Sequence, residues 1–285
     1  MEKQGNTVDY WPIEGKGLAG YAKAIFKLRK FLRANSYDVV HGHYLWSVMV
    51  AAFQSRKHTR VGSFIGSDLN IPYMRFIARY FVAPILDRVI VVNSQMVKYL
   101  RRSNRISVIP YGVDPDVFSN EISTNADGLK FLKAGSANIL FGSRFDRYEK
   151  NHPLASAACA IAKKAEPINL IELKGMTRND IVGILNNADL LLLTSLWEGS
   201  PQVIKEAMAC NCPVVTTDVG DVRWLLQGVD NSYICGFDAA EIATRIVDVL
   251  DRGGRSNGRA RIFELGLDLP SIASRVLSLY NEATK

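Results

Sequence analysis

Cysteine is scarce in this chain: of 285 residues only Cys159, Cys210, Cys212 and Cys235 carry a thiol. That count excludes a disulfide framework. The Cys210-Asn211-Cys212 spacing fits neither the common zinc pairs nor the redox pairs, so the four read as reduced, half-buried thiols of a cytoplasmic protein. No apolar run approaches the ~18 residues of a membrane span. The opening "MEKQGNTVDYWP" has neither the apolar core of a signal peptide nor the character of a transit peptide. There is no GxxxxGK[ST] loop, and the glycines at 15, 17 and 20 follow no apolar strand of useful length, which argues against a kinase, an ATPase or an NAD enzyme. HExxH and Cys/His metal clusters are missing as well, so no metal is expected. No helix-turn-helix, zinc-finger or aromatic RNA-binding pattern points to nucleic acid.

What is present is ordinary in amount and uneven in placement. The chain is 48% apolar and 22% charged, enough for one large or two medium domains with their own cores. Its net charge of +7 is concentrated at the front: residues 1–120 hold 17 basic against 8 acidic side chains, residues 121–285 hold 18 against 20. A basic first half and a near-neutral second half suggest two domains with different partners. A basic face suits an anionic membrane surface or an acidic polymer, and a merely solvated surface has the same composition.

Short β-branched runs alternate with longer helical stretches. "DVVHG" (38–42), "RVGSFIG" (60–66), "RVIVVNS" (88–94) and "ISVIP" (106–110) read as buried strands of a first series, with "TVDYW" (7–11) as a further short strand. "LWSVMVAAFQSRK", "PYMRFIARYFVAPIL" and "SQMVKYLRRS" read as the helices between them. The second series has strands at "NILFGSR" (138–144), "INLIELKG" (168–175), "DLLLLTS" (189–195), "PVVTTD" (213–218) and "NSYICG" (231–236), each followed by a helical segment. Such alternation implies βαβ units and parallel sheets covered on both faces. The polar stretch 112–137 separates the series. The fold class is therefore α/β, with two Rossmann-like domains at 1–115 and 116–268 facing a central cleft, and a last helix at 269–285 returning to the first domain.

Ligands of such sheets sit at the carboxyl ends of the strands. One of those ends, "TSLWEGSPQVIKEAMA", carries the densest chemistry. Ser200 suits an N-cap and Pro201 the first helical position, which leaves backbone N–H groups at Ser200, Gln202 and Val203 as an anion site. Glu198 stands just ahead of that turn and Glu206 one helical turn beyond Gln202. A carboxylate at Glu206 can accept two hydrogen bonds from vicinal hydroxyls, as a ribose offers, and Glu198 can hold sugar hydroxyls. A helix with an acidic start and one solvated acid is the plainer alternative.

The two acids, seven residues apart within "EGSPQVIKEAMACNCPVVTTDVGD", resemble the glutamate signature of retaining GT-B glycosyltransferases, family 4. The likeness extends over about residues 36–285 and is strongest over 138–221. It implies transfer of a hexose-type sugar from a UDP- or GDP-linked donor to a glycan or lipid-linked acceptor with retention of configuration, in cell-surface polysaccharide synthesis. No cofactor and no metal are implied. Within "SRFDRYEKN" it assigns Arg144 and Lys150 to the diphosphate, with Arg147 as a competitor and Asn151 next in line. Gly199, Ser200, Pro201, Gln202 and Val203 would form the phosphate turn, Glu198 would hold the sugar and Glu206 the ribose. In "HGHY" it places His43 near the reacting carbon, with His41 as buried structure, and it puts Asp68 of "GSD" on the acceptor side and Met176 beside the nucleobase. The first domain would then be the acceptor side, lacking the family's usual first βα unit, and the second the nucleotide-sugar domain. Peripheral contact with an anionic membrane would come through "KLRKFLR" and "ARYFVAPIL", on the inner face of the cytoplasmic membrane. A non-catalytic sugar-nucleotide-binding relative or partner subunit is the alternative reading.

Overall fold

The computed structural model of the chain describes residues 1–2, 5–14, 17–101, 104–120, 128–163 and 167–284. Gly15, residues 102–103 of the third expected helix and residues 121–127 of the polar stretch lie outside these. The chain divides into two compact units, Met1–Tyr111 with Pro270–Lys285, and Gly112–Leu269.

The first unit runs α1 (Gly17–Ala34), β1 (Val39–His43), α2 (Leu45–Ala52), β2 (Thr59–Phe64), α3 (Ser67–Asn70), α4 (Pro72–Ile77), β3 (Arg88–Val91) and β4 (Ile106–Val108). Its four strands are parallel and lie in sequence order. The core gathers Leu45, Val48, Phe64, Leu69, Met74, Val89 and Val91 between sheet and helices. Residues 7–11 form no strand, and among the described residues β1 pairs with β2 alone. The expected helix 72–86 is broken. After α4 the chain widens to a π turn at Ala78–Val82 and tightens to a 3₁₀ turn at Ala83–Ile85. Pro84 removes the N–H that a continuing helix needs. The expected helix at 94–103 is a 3₁₀ turn over Ser94–Tyr99, capped by the Asn93 side chain.

The second unit runs β5 (Ala137–Phe141), α5 (His152–Ala162), β6 (Ile168–Glu172), α6 (Arg178–Asn187), β7 (Leu190–Leu193), α7 (Gln202–Ala209), β8 (Val214–Thr217), α8 (Val222–Leu225), β9 (Tyr233–Cys235), α9 (Ala239–Arg252) and α10 (Gly258–Glu264). β7 and β8 are buried at every residue, and β7 accordingly reads as an unbroken apolar run. A capping box between Thr177 and Asp180 starts α6. The parallel strands lie in the order β6-β5-β7-β8-β9. The chain leaves β5 toward β6 on one side and returns on the other side as β7. The gap between the carboxyl ends of β5 and β7 is thus a topological switch point, where such sheets take ligands.

The last helix, α11 (Leu269–Ala283), belongs from Pro270 onward to the first unit. Tyr280 Oη lies 2.5 Å from His41 Nδ1, and Arg275 donates to the Val108 carbonyl at 2.9 Å. All four cysteines are free and buried, deeper than the half-burial their sequence context implied.

Candidate functional site

The loops after β5 and β7 are tied together at the switch point of the second unit. Thr194 Oγ1 donates to the carbonyls of Lys150 and Asn151, at 3.0 Å each. The Leu196 N–H donates to the Glu149 carbonyl at 2.8 Å. These ties bring Lys150 Nζ to 2.5 Å from Glu198 Oε1, an oxygen that also accepts from Ser195 Oγ at 2.7 Å. Both members of the ion pair are mostly buried, with side-chain exposures of 15% and 14%.

The other cations of this loop carry carboxylates of their own. Arg144 grips Asp146 through two nitrogens, Nε lying 3.0 Å from Oδ1, and Arg147 pairs with Glu149. Arg144 is exposed and Lys150 is not, so the two expected diphosphate cations sit in unlike surroundings. Asn151 follows in a left-handed conformation (φ 53°, ψ 48°) and opens α5.

The start of α7 differs from the expected one. Pro201 is extended (φ −66°, ψ 112°) and occupies the N-cap position, with no side-chain cap. Ser200 is therefore not the N-cap. Its Oγ donates instead to Asp221 Oδ2, at 2.6 Å. Gln202 reaches back through Nε2 to the Gly112 carbonyl at 2.9 Å, and Val203 follows it in the first turn. Glu206 is half-buried. Burial pushes its carboxyl up to about 7, against the opposing pull of Arg178 and Lys205. Met176 is half-buried in the loop before α6, after Gly175 at φ +65°.

Three residues of this region carry chemistry that sequence reasoning passed over. Lys205 is wholly buried on α7, and burial brings its ammonium down to about 8. Asp221, after β8, is buried and pushed up to about 6. Gly220 is left-handed (φ +59°), and a Cβ there would stand 2.6 Å from the Gly199 carbonyl oxygen. The available signal was a lone lysine among the apolar residues of "VIKEAMA" and an acid at the strand end "DVGD".

The remaining expected residues belong to the first unit. His41 lies between Tyr280 Oη and Ser63 Oγ, the latter 2.8 Å from Nε2, and burial holds its ring well below the ordinary histidine range. His43 stacks on His41 at 4.1 Å between ring centroids and meets Tyr111 Oη through Nδ1 at 3.1 Å. Its residue surface is exposed at the end of β1, while desolvation of the ring lowers its pKa. Tyr44, next in the chain, has φ 70°, a strained value for an aromatic residue. Asp68 is fully buried. Its carboxylate accepts from the Ile65 N–H at 3.0 Å and the Gly66 N–H at 2.8 Å, so it braces its own loop rather than lining an open wall.

Residues 4–117 match the family described as Glycosyltransferase Family 4, and residues 148–252 match that described as Glycosyl transferases group 1. The chain belongs to the family 4, group 1 glycosyltransferases. Among curated relatives, the D-inositol 3-phosphate glycosyltransferase of Mycolicibacterium smegmatis is 25% identical over 288 residues, covering 85% of this chain. A UDP-Gal:alpha-D-GlcNAc-diphosphoundecaprenol alpha-1,3-galactosyltransferase of Escherichia coli is 24% identical over 255 residues, covering 74% of it. The match spans 66% of the length of each of these relatives. In fold, this glycosyltransferase chain is similar to sucrose-phosphate synthase of Thermosynechococcus elongatus (TM-score 0.77, 18% identity, 93% of this chain and 78% of that one). It is also similar to Anabaena HepE, solved in complex with UDP and glucose (TM-score 0.71, 17% identity, 91% and 80%). The fold class is thus that of GT-B glycosyltransferases with Rossmann-like domains.

Proposed function

We propose that the chain transfers a hexose from a UDP- or GDP-linked donor to a glycan or lipid-linked acceptor, with retention of configuration, in the synthesis of cell-surface polysaccharide. The observation that carries this reading is the meeting of Lys150 and Glu198 at the β5/β7 switch point, beside a helix start that no side chain caps. A diphosphate supplies what that arrangement calls for: negative charge for Lys150 and Arg144, and acceptors for the free N–H groups at the start of α7. In this reading Lys150 exchanges its carboxylate for the diphosphate and supports it as it departs, the part a metal plays elsewhere. Glu198, released from Lys150, takes the sugar hydroxyls, and Glu206 takes the ribose hydroxyls. Gly199, Ser200, Pro201, Gln202 and Val203 form the phosphate turn, and Met176 flanks the base. The family resemblance assigns His43 to the donor sugar.

Docking on an anionic membrane is part of the same proposal. Tyr73, Phe76, Tyr80 and Phe81 are exposed around the π turn of the first unit, with Phe76 5.0 Å from Tyr80 and 5.8 Å from Phe81 between ring centroids. Arg75, Arg79, Lys98 and Arg101 stand over the rings of Tyr80 and Tyr99. Aromatic rings with cations at their edge suit an interfacial position among anionic headgroups. In "KLRKFLR", by contrast, Leu28, Phe31 and Leu32 pack in the cluster beneath α1.

The deciding experiment measures nucleoside diphosphate release from UDP- and GDP-sugars, with and without an acceptor lipid extract. Acceptor-dependent release is expected. Donor binding without release in any extract would contradict the transfer reading and favour a sugar-nucleotide-binding subunit.

A further inference from the structure

The helix α7 begins one residue later than its own sequence would set it. Serine followed by proline is suited to the N-cap and first helical positions. Here Pro201 is extended, and the Ser200 hydroxyl points its hydrogen bond at Asp221. The loop after β8 holds the turn in that state by two further ties. Thr217 Oγ1 donates to the Ser195 carbonyl at 2.7 Å, and Gly220 lies so close to Gly199 that no side chain fits between them. Asp221 is itself buried, and its second oxygen, Oδ1, has no hydrogen-bond partner among the described residues. Its counter-charge is Lys205, which is wholly buried and rises from α7 itself.

A buried charge of this kind contributes little to stability compared with an apolar residue of the same size. Its placement matters more. A serine that caps a helix takes up one of the N–H groups that a bound phosphate would use, so self-capping and phosphate binding compete for the same donors.

We infer that Asp221 is a positioning residue that draws the Ser200 hydroxyl away from α7 and so keeps the first N–H groups of the helix open for the donor diphosphate. This rests on the donor-site reading given above. Without Asp221, Ser200 turns back, Pro201 adopts the first helical position, and the helix caps itself.

The test compares wild type with Asp221→Ala, with Lys205→Met/Asp221→Ala, and with that double variant plus Ser200→Ala. Removing both buried charges together preserves the charge balance behind the turn. Two readouts are used. One is affinity for UDP and GDP by calorimetry, set against affinity for uridine and guanosine by ligand-observed NMR. The other is amide hydrogen exchange over residues 200–205 without ligand. The double variant is expected to weaken the bound diphosphate about fivefold, the size of one capping interaction, while leaving the nucleoside unchanged. Its Gln202 and Val203 amides should exchange more slowly, and adding Ser200→Ala should restore most of the lost affinity. Unchanged diphosphate affinity in the double variant would overturn the inference alone, as would a parallel loss for the nucleoside or a failure of Ser200→Ala to restore binding. A wild type that binds neither UDP nor GDP would overturn the donor-site reading, and the inference with it.

Discussion

Lys150 Nζ and Glu198 Oε1 lie 2.5 Å apart, although 48 residues separate them and each arrives from a different strand. The pair closes over the point where the sheet of the second unit changes direction. Removing its cation leaves a mostly buried carboxylate that still accepts from Ser195 Oγ. Lys150→Met is expected to lower stability by roughly 1–3 kcal/mol, below the range for fully buried pairs because some solvent reaches this one. Chemical denaturation checks the stability, and calorimetry should show affinity for UDP or GDP lowered by at least about tenfold. Unchanged affinity would remove Lys150 from the diphosphate.

Donor affinity should depend on pH through Glu206. Its carboxyl is pushed up to about 7 by burial, and only the ionised form can accept from both ribose hydroxyls. From pH 8 to pH 6 the ionised fraction falls about tenfold, and the affinity of wild type for UDP or GDP should fall with it. Glu206→Gln should lack that step and keep only the pH dependence of the nucleotide's own phosphate. Identical pH profiles for the two proteins would contradict the ribose assignment.

The same group sets the direction of a stability change. A carboxyl raised from 4.5 to about 7 in the folded state holds its proton more tightly there than in the unfolded chain. Its stabilising contribution is therefore full below about pH 4.5 and is lost as pH rises through about 7. Glu206→Gln should be more stable than wild type at pH 8, by something on the order of 1–3 kcal/mol, and the difference should shrink toward pH 5. Denaturant titrations at the two pH values measure it.

The exposed rings around the π turn give the membrane proposal its test. Wild type should co-sediment with vesicles containing phosphatidylglycerol and not with pure phosphatidylcholine vesicles. Phe76→Ser/Phe81→Ser should lose most of that binding while its melting temperature stays within a few degrees, because both rings are already exposed. Equal sedimentation of both proteins would place any membrane contact elsewhere.

The nine strands of the described residues were legible mainly from their apolar, β-branched runs, since a parallel strand covered on both faces needs apolar residues at successive positions, as in "LLLL" of β7. The runs overshot into the loops, because Val92 and Asn93 or Thr194 and Ser195 stay buried beyond the paired residues of the strands. The broken helix at 72–86 was misread because its apolar spacing hides the missing N–H of Pro84. At the candidate site, Glu198 and Glu206 stood out by their spacing around the Gly-Ser-Pro turn, while Lys150 came from the family resemblance. The contact between Lys150 and Glu198 was not legible, as it depends on Thr194 gripping the backbone of a loop 44 residues upstream. Ser200 shows the sharper limit. Its local preference for capping α7 is sound, and a tertiary partner, Asp221, overrides it.

The central claim is that the second unit binds the diphosphate and ribose of a nucleotide sugar through the turn between Glu198 and Glu206. The most direct measurement is a thermal-shift titration of wild type and Glu206→Ala with UDP-, GDP- and ADP-sugars. A rise in melting temperature with UDP- or GDP-sugars that largely disappears in Glu206→Ala is the expected result. Equal shifts in both proteins, or none with any nucleotide sugar, would contradict the claim.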